Sequence, residues 1–303
     1  MKEFYPEEIK VKNDGKIYYT AENIATAVKT GEILRGVVNL CDTSHNLMVD
    51  LGSMKGIIAK EDALASSDGS VRDIAIISRV GKTVCFTVED VIYDLSGIPV
   101  ARLSRKKAQE KFISEFLSSK SVGDVLMAKV THLDSFGVFC DIGCGVIALL
   151  PIDFISVSRI SHPKDRFFVG EDIKVILKGI GEDGRITVSH KELLGTWEEN
   201  AADFTAGQTV TGVVRSVEEY GVFVELAPNL AGLAEPYETR VGDTVSVYIK
   251  SIIPDKMKVK LIIIDSFKGG FVPKTKYFYK ENHIDLFNYS PPNSSKKIYT
   301  EFY

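Results

Sequence analysis

Residues 122–143 read VGDVLMAKVTHLDSFGVFCDIG, residues 206–227 read AGQTVTGVVRSVEEYGVFVELA, and the two align without a gap. Gly207 stands against Gly123, 84 positions further on, and Phe136-Gly137 is answered by Tyr220-Gly221. Within each copy apolar residues alternate with polar ones (Val130 and Val214, then Leu133 and Val217), the period of a half-buried strand. A glycine straight after the aromatic residue allows a sharp bend or a bulge at a barrel corner.

Self-similarity extends in both directions. Residues 30–52, TGEILRGVVNLCDTSHNLMVDLG, form a weaker copy that needs a one-residue insertion. In it His45 stands in place of Phe136 and Met48 in place of Phe139, so the strand pattern survives without the aromatic pair. Each copy closes with a further strand: VARLSRKKA (Val100–Ala108), RITVSHKEL (Arg185–Leu193) and KVKLIII (Lys258–Ile264). Helices are expected between the copies. Ser104 caps one in which Ala108, Phe112 and Phe116 recur every four residues. Leu193, Trp197 and Ala201 repeat the device, and Trp197, the sole tryptophan, packs a linker onto a barrel. A short N-terminal helix is expected from about Ala21 to Lys29 behind Thr20. The GEDG at Gly181–Gly184 reads as a hairpin turn. After Ile264 the chain is rich in Phe and Tyr (Phe271, Tyr277, Phe278, Tyr279, Phe287, Tyr289), a composition expected to fold against the third barrel.

Units of 60–75 residues made of short strands around a Gly-aromatic corner point to five-stranded oligonucleotide-binding (OB-fold) barrels, which leave one sheet face open to a ligand. The fold class expected is therefore mainly β, three tandem OB-fold barrels joined by short helices. Strand phase then assigns the faces. With Cys140 and Ile142 turned inward, Phe139 and Asp141 turn outward and Phe136 shares that surface. With Val224 and Leu226 inward, Phe223 turns outward beside Tyr220. Unpaired bases would cover such aromatics, at ~1–3 kcal/mol per stacked base. Lys129, Arg215, Arg185 and Lys258, on neighbouring strands, are the expected phosphate contacts. The same spacing also fits aromatics that plug barrel ends or pack between repeats.

Composition sets the outer bounds. Over 303 residues, 45% are hydrophobic and 26% charged, enough apolar material for several small cores. A net charge of −4 argues against a strongly basic, charge-driven DNA binder, not against stacking on RNA. The four cysteines (Cys41, Cys85, Cys140 and Cys144) form no CxxC pair. Cys140 lies in phase with core residues, and no His or acid cluster completes a metal site with it. No secretory leader and no apolar run of membrane-spanning length is evident, so a cytoplasmic protein with reduced thiols is expected. The five histidines fall in no HExxH frame, and no GxxxxGK[ST] loop is present. No enzyme activity, cofactor, metal or small-molecule substrate is expected.

The pattern G-x-x-x-x-A/G-x-V-x-x-L/V-x-x-F/Y-G-V-F resembles the RNA-binding domain named after bacterial small-subunit ribosomal protein one, the S-one domain, and does so over roughly residues 30 to 264. The stretches GVVNLCDTSHNLMVDLG, KVTHLDSFGVFCDIGCG, ISVSRISHP, VSHKELLGTWEENAADF, SVEEYGVFVELAPNLAGLAEP and HIDLFNYSP resemble the short, three-repeat ribosomal-protein-one-like proteins of Clostridia-type bacteria. The resemblance implies single-stranded RNA binding in translation or messenger handling, with the small ribosomal subunit as a further partner. It carries the surface aromatics onto Phe136 and Phe139, and onto Tyr220 and Phe223. It carries the basic residue before the last strand onto Arg185, replaced by Lys258 in the third copy. Pro151 and Glu235 stand about where the family has a histidine, and Gly181 and Pro254 where it has an aspartate. The expected layout is an N-terminal segment (1–30), a first barrel with a degenerate ligand face (31–105), a linker helix (106–120), a second barrel (121–192), a second linker helix (193–204), a third barrel (205–264) and a tail (265–303). The second and third barrels are the expected RNA binders. The alternative function is a protein-interaction scaffold that docks on the ribosome or RNA polymerase without contacting RNA itself.

Overall fold

The computed structural model describes residues 4–7, 18–65 and 72–303. Three closed five-stranded barrels follow one another along the chain. The first comprises β1 (Leu34–Cys41), β2 (Leu47–Asp50), β3 (Lys55–Ile58), β4 (Thr83–Tyr93) and β5 (Pro99–Ser104). The second comprises β6 (Val125–Asp134), β7 (Gly137–Asp141), β8 (Ile147–Pro151), β9 (Asp172–Ile180) and β10 (Ile186–Ser189). The third comprises β11 (Thr209–Glu218), β12 (Gly221–Ala227), β13 (Leu230–Ala234), β14 (Thr244–Ile253) and β15 (Lys258–Phe267). Each closes in the same cyclic order: first, second, third, fifth and fourth strand. The third and fifth strands run parallel, and every other neighbouring pair runs antiparallel. This is the mainly β, OB-like architecture expected from the repeat.

The corner motif works differently from the sequence expectation. The register slips in the first strand of each barrel, just past a fully buried valine: after Val38, Val130 and Val214. The extra residues at these slips are Asn39, Thr131 and Arg215. Gly137 and Gly221 instead allow close backbone approach. A Cβ on Gly137 would lie 2.5 Å from the Leu150 carbonyl oxygen, and one on Gly221 2.3 Å from that of Ala234. Any side chain there would push the third strand off the second. The Gly181–Gly184 turn does join β9 to β10, with Gly181 N–H donating to the Arg185 carbonyl.

Helices fill the seams. α1 (Ala21–Thr30) opens with a capping box between Thr20 and Asn23. α2 (Asp73–Ile77) precedes β4. α3 (Arg105–Glu115) is capped by the Ser104 hydroxyl, which accepts from Lys107 N–H. It buries Ala108 and Phe112 in a core continuous with that of the second barrel. The second linker is not one helix. A short 3-10 turn, Lys191–Leu194, ends at Gly195 with φ +83, and α4 (Trp197–Ala201) restarts behind a Thr196–Glu199 capping box. Trp197 is nevertheless buried in the third barrel's core cluster, as its place on an apolar stripe suggests.

The aromatic tail reaches beyond the third barrel. Phe278 N–H donates to the Leu193 carbonyl, Ile284 N–H to that of Gly123, and Val125 N–H to that of Asn282. Tyr289 O–H donates to the Asn229 carbonyl at 2.6 Å. The hairpin of β16 (Leu286–Asn288) and β17 (Tyr299–Glu301) completes it. Residues 268–303 thus lie across the second barrel as well as the third. Among the described residues, no helix is long and apolar enough to cross a membrane.

Candidate nucleic-acid interface

Strand register builds the candidate face. In the second barrel Phe139 pairs with Leu149 and Leu149 with Thr187, a row across β7, β8 and β10. Val138 and Cys140 on either side of Phe139 are fully buried, so Phe139 turns outward. Burial pushes the Cys140 thiol up to about 12, as befits a core residue. Phe136, just before the strand, is 51% exposed and meets Phe139 edge-on, with ring centroids 5.8 Å apart at 90°. The third barrel repeats this row as Phe223, Leu233 and Lys260. Tyr220, 66% exposed, meets Phe223 at 6.2 Å and again 90°. In the first barrel the row is Met48, Ile57 and Arg102. His45 there sits 3.5 Å from Asp73, beside a Lys60–Asp73 ion pair. That face offers no aromatic pair.

The four expected cations divide. Arg185 is 88% exposed at the end of the turn into β10, with Asp183 3.1 Å away. Lys258 lines an open groove of about 590 Å³ together with Tyr220, Phe223, Leu233, Met257 and Lys260. Lys250 joins the same groove and pairs with Glu235 at 3.6 Å. Lys129 and Arg215 do not stand free beside the rings. Lys129 is tied to Asp172 at 2.5 Å. Arg215, 9% exposed, is bound to Glu225 and lies 3.4 Å from Asp165. The slip in β11 leaves Arg215 as the extra residue, and its side chain joins the seam between the second and third barrels. Lys250 and Lys260 were missed. For Lys260 a signal existed, the alternation of Lys258 and Lys260 with buried Val259 and Leu261.

Asp141 also departs from its expected place. It faces outward as its phase requires, yet it is buried. Its carboxylate accepts N–H bonds from Glu7 at 2.7 Å, Gly143 at 2.8 Å and Gly145 at 3.1 Å. Burial, and then the neighbouring Glu7 carboxylate, push its pKa up to about 7. Glu7 receives a two-pronged bond from Arg105, 2.8 Å on each arm. Glu225, 84 positions after Asp141, holds the same place at the next seam. It binds Arg166 from the second barrel and Arg215 from its own. The outward face is therefore more open at its aromatic end and sealed at its acidic end, by Glu7 of the N-terminal segment in the second barrel and by Arg166 of the preceding barrel in the third.

Residues 119–191 match the S1 RNA binding domain family. The small ribosomal subunit protein bS1 of Staphylococcus aureus (strain N315) is 29% identical over 255 residues, covering 78% of this chain and 63% of that protein. The bS1 protein of Leuconostoc lactis is 34% identical over 177 residues, covering 52% of this chain and 41% of that one. The chain thus spans less than two thirds of the length of these relatives. A solved multidomain protein with nucleic acid binding domains from Streptococcus pneumoniae aligns over 79% of this chain and 75% of that one, at 16% identity and a TM-score of 0.25, too loose to carry an argument. The motif at Phe136 lies in the stretch that matches the S1 RNA binding domain and recurs at Tyr220, and the chain is S1-like.

Proposed function

We propose that the protein is a non-catalytic binder of single-stranded RNA that acts in translation or messenger handling, with the second and third barrels as its RNA-binding units. The observation that carries this reading is the edge-on aromatic pair, one ring exposed and the other half-buried, that recurs in both barrels. Exposed aromatic rings gain most by stacking on bases whose own faces are free, which duplexes do not offer. Arg185 in one barrel, and Lys258 with Lys260 in the other, lie where phosphates of a strand crossing the rings would pass. The small-subunit names of the relatives support the small ribosomal subunit as a further partner.

The test is an anisotropy titration of a labelled single-stranded oligonucleotide, with unlabelled duplex as competitor. Wild-type protein is expected to bind the single strand and to resist the duplex. Phe136→Ala/Phe139→Ala is expected to weaken binding at least tenfold, since the loss of one stacked base, ~1–3 kcal/mol, is already of that order. Unchanged titrations, together with retained co-sedimentation with nuclease-treated ribosomes, would favour the protein-scaffold function instead.

A further inference from the structure

The two seams differ in one respect. At the second seam the named charges balance: Arg166 and Arg215 share Glu225, and Arg215 also meets Asp165. At the first seam the balance is positive. Arg105 and Arg79 both turn to the single carboxylate of Glu7, Arg79 at 3.6 Å. Asp141 adds a second carboxylate to Glu7, and Lys82 adds a third cation to Arg79 and Arg105. The side chain of Lys82, just before β4, is partly exposed and forms no hydrogen bond or ion pair among the described residues. Partial burial, and then its neighbour Arg79, disfavour its charged form, while Glu7 favours it.

This excess charge opens onto the second barrel's rings. A groove of about 310 Å³ is lined by Arg79, Lys82 and Thr83 of the first barrel and by Thr131, His132 and Phe139 of the second, with Asp141 and Glu7 at its base. His132 continues the aromatic surface inward, its ring 5.9 Å from that of Phe139 and tilted by 35°. A strand stacked on Phe136 and Phe139 and running toward the seam would bring a phosphate to Lys82.

We propose that the first barrel, which has no aromatic pair of its own, supplies a phosphate-binding site to the second barrel's RNA face, with Lys82 as its principal contact, Arg79 as a second, and His132 bridging to the rings. This rests on the single-stranded RNA reading above and deepens it. The degenerate repeat becomes half of a composite site.

The experiment is the same oligonucleotide titration repeated over a range of salt concentrations. For single strands the slope of log K on log salt is about −0.7 per phosphate contact. Lys82→Ala is expected to bind severalfold more weakly, with a slope shallower by about 0.7, and Lys82→Arg to behave as wild type. Phe136→Ala/Phe139→Ala is expected to lose affinity with its slope nearly unchanged. Lys29→Ala, an exposed cation on α1, is expected to change neither quantity. Because the Lys82 side chain makes no hydrogen bond or ion pair among the described residues, its truncation is expected to leave the fold intact, which a matching unfolding midpoint checks. If Lys82→Ala keeps wild-type affinity and slope while the ring variant weakens, the composite site is wrong and the RNA reading stands. An equal effect from Lys29→Ala also overturns the site, because it reports general charge only. Failure of the wild type to bind overturns both.

Discussion

Phe139 and Asp141 stand two residues apart on one face of β7, one open and one sealed. The sequence gives their phase, because Val138 and Cys140 between and beside them are apolar. It does not give their cover, because the N–H that binds Asp141 belongs to Glu7, 134 residues away. Arg215 was misplaced for a related reason: a one-residue slip after Val214 moves it out of the alternation. Burial of such groups has a consequence in pH. Asp141 is raised to about 7 from an ordinary 3.8, so between these values the folded chain holds a proton that the unfolded chain has lost. Stability from this group therefore falls as pH rises across that window. His190 is the reverse. Burial pulls it down to about 4 from 6.5; its Nδ1–H donates to the Ile155 carbonyl at 2.8 Å, and Nε2 lies 3.2 Å from the Tyr277 hydroxyl. The unfolded chain then binds the proton that the folded chain refuses, so stability from this group rises with pH. The two slopes oppose each other, each at most about 1.4 kcal/mol per pH unit. Relative to wild type, Asp141→Asn is expected to make urea midpoints climb with pH between 4 and 6.5, and His190→Gln to make them fall. Parallel profiles for all three proteins would contradict these environments.

At the scale of elements, the strands were legible because their period is two and three copies could be laid over one another. Caps were legible too: Thr20 and Ser104 both accept the N–H bonds their positions suggest. Linker breaks were not, since Leu193, Trp197 and Ala201 keep helical spacing although Gly195 divides the segment. Glycine roles were half legible. The sequence marks Gly137 as special but not what lies against it. Gly137→Ala would set a methyl group against the Leu150 carbonyl, a backbone atom with little room to yield, and is expected to cost about 1–3 kcal/mol. Gly179, on β9, has nothing within 4 Å of a Cβ, so Gly179→Ala is expected to be nearly neutral. Urea midpoints of the two variants check the contrast, and equal effects would mean that β8 does not press on Gly137.

At the scale of the whole molecule, three barrels of one topology carry two different kinds of face. The first has lost its rings, and the second and third keep theirs. The chain was readable to this extent because the ring pair is local in sequence. The seams were not, because Glu7, Arg79, Arg105 and Asp141 meet only after folding, as do Arg166, Arg215 and Glu225. These buried ion networks, with the tail laid across the second and third barrels, hold successive ring pairs in one body. Fixed spacing raises the effective concentration of the second contact once the first has formed, so under the proposed function a single strand long enough to reach both is expected to bind more tightly than either barrel would bind it. The most direct test is photo-crosslinking of a thiouridine-substituted single-stranded oligonucleotide to the full chain, followed by peptide mapping. The expected result is crosslinks in the peptides that carry Phe136 and Phe139 and in those that carry Tyr220 and Phe223, all lost when the four rings are replaced by alanine. Crosslinks confined to the tail or to the first barrel, or a pattern that persists without the rings, would contradict the account.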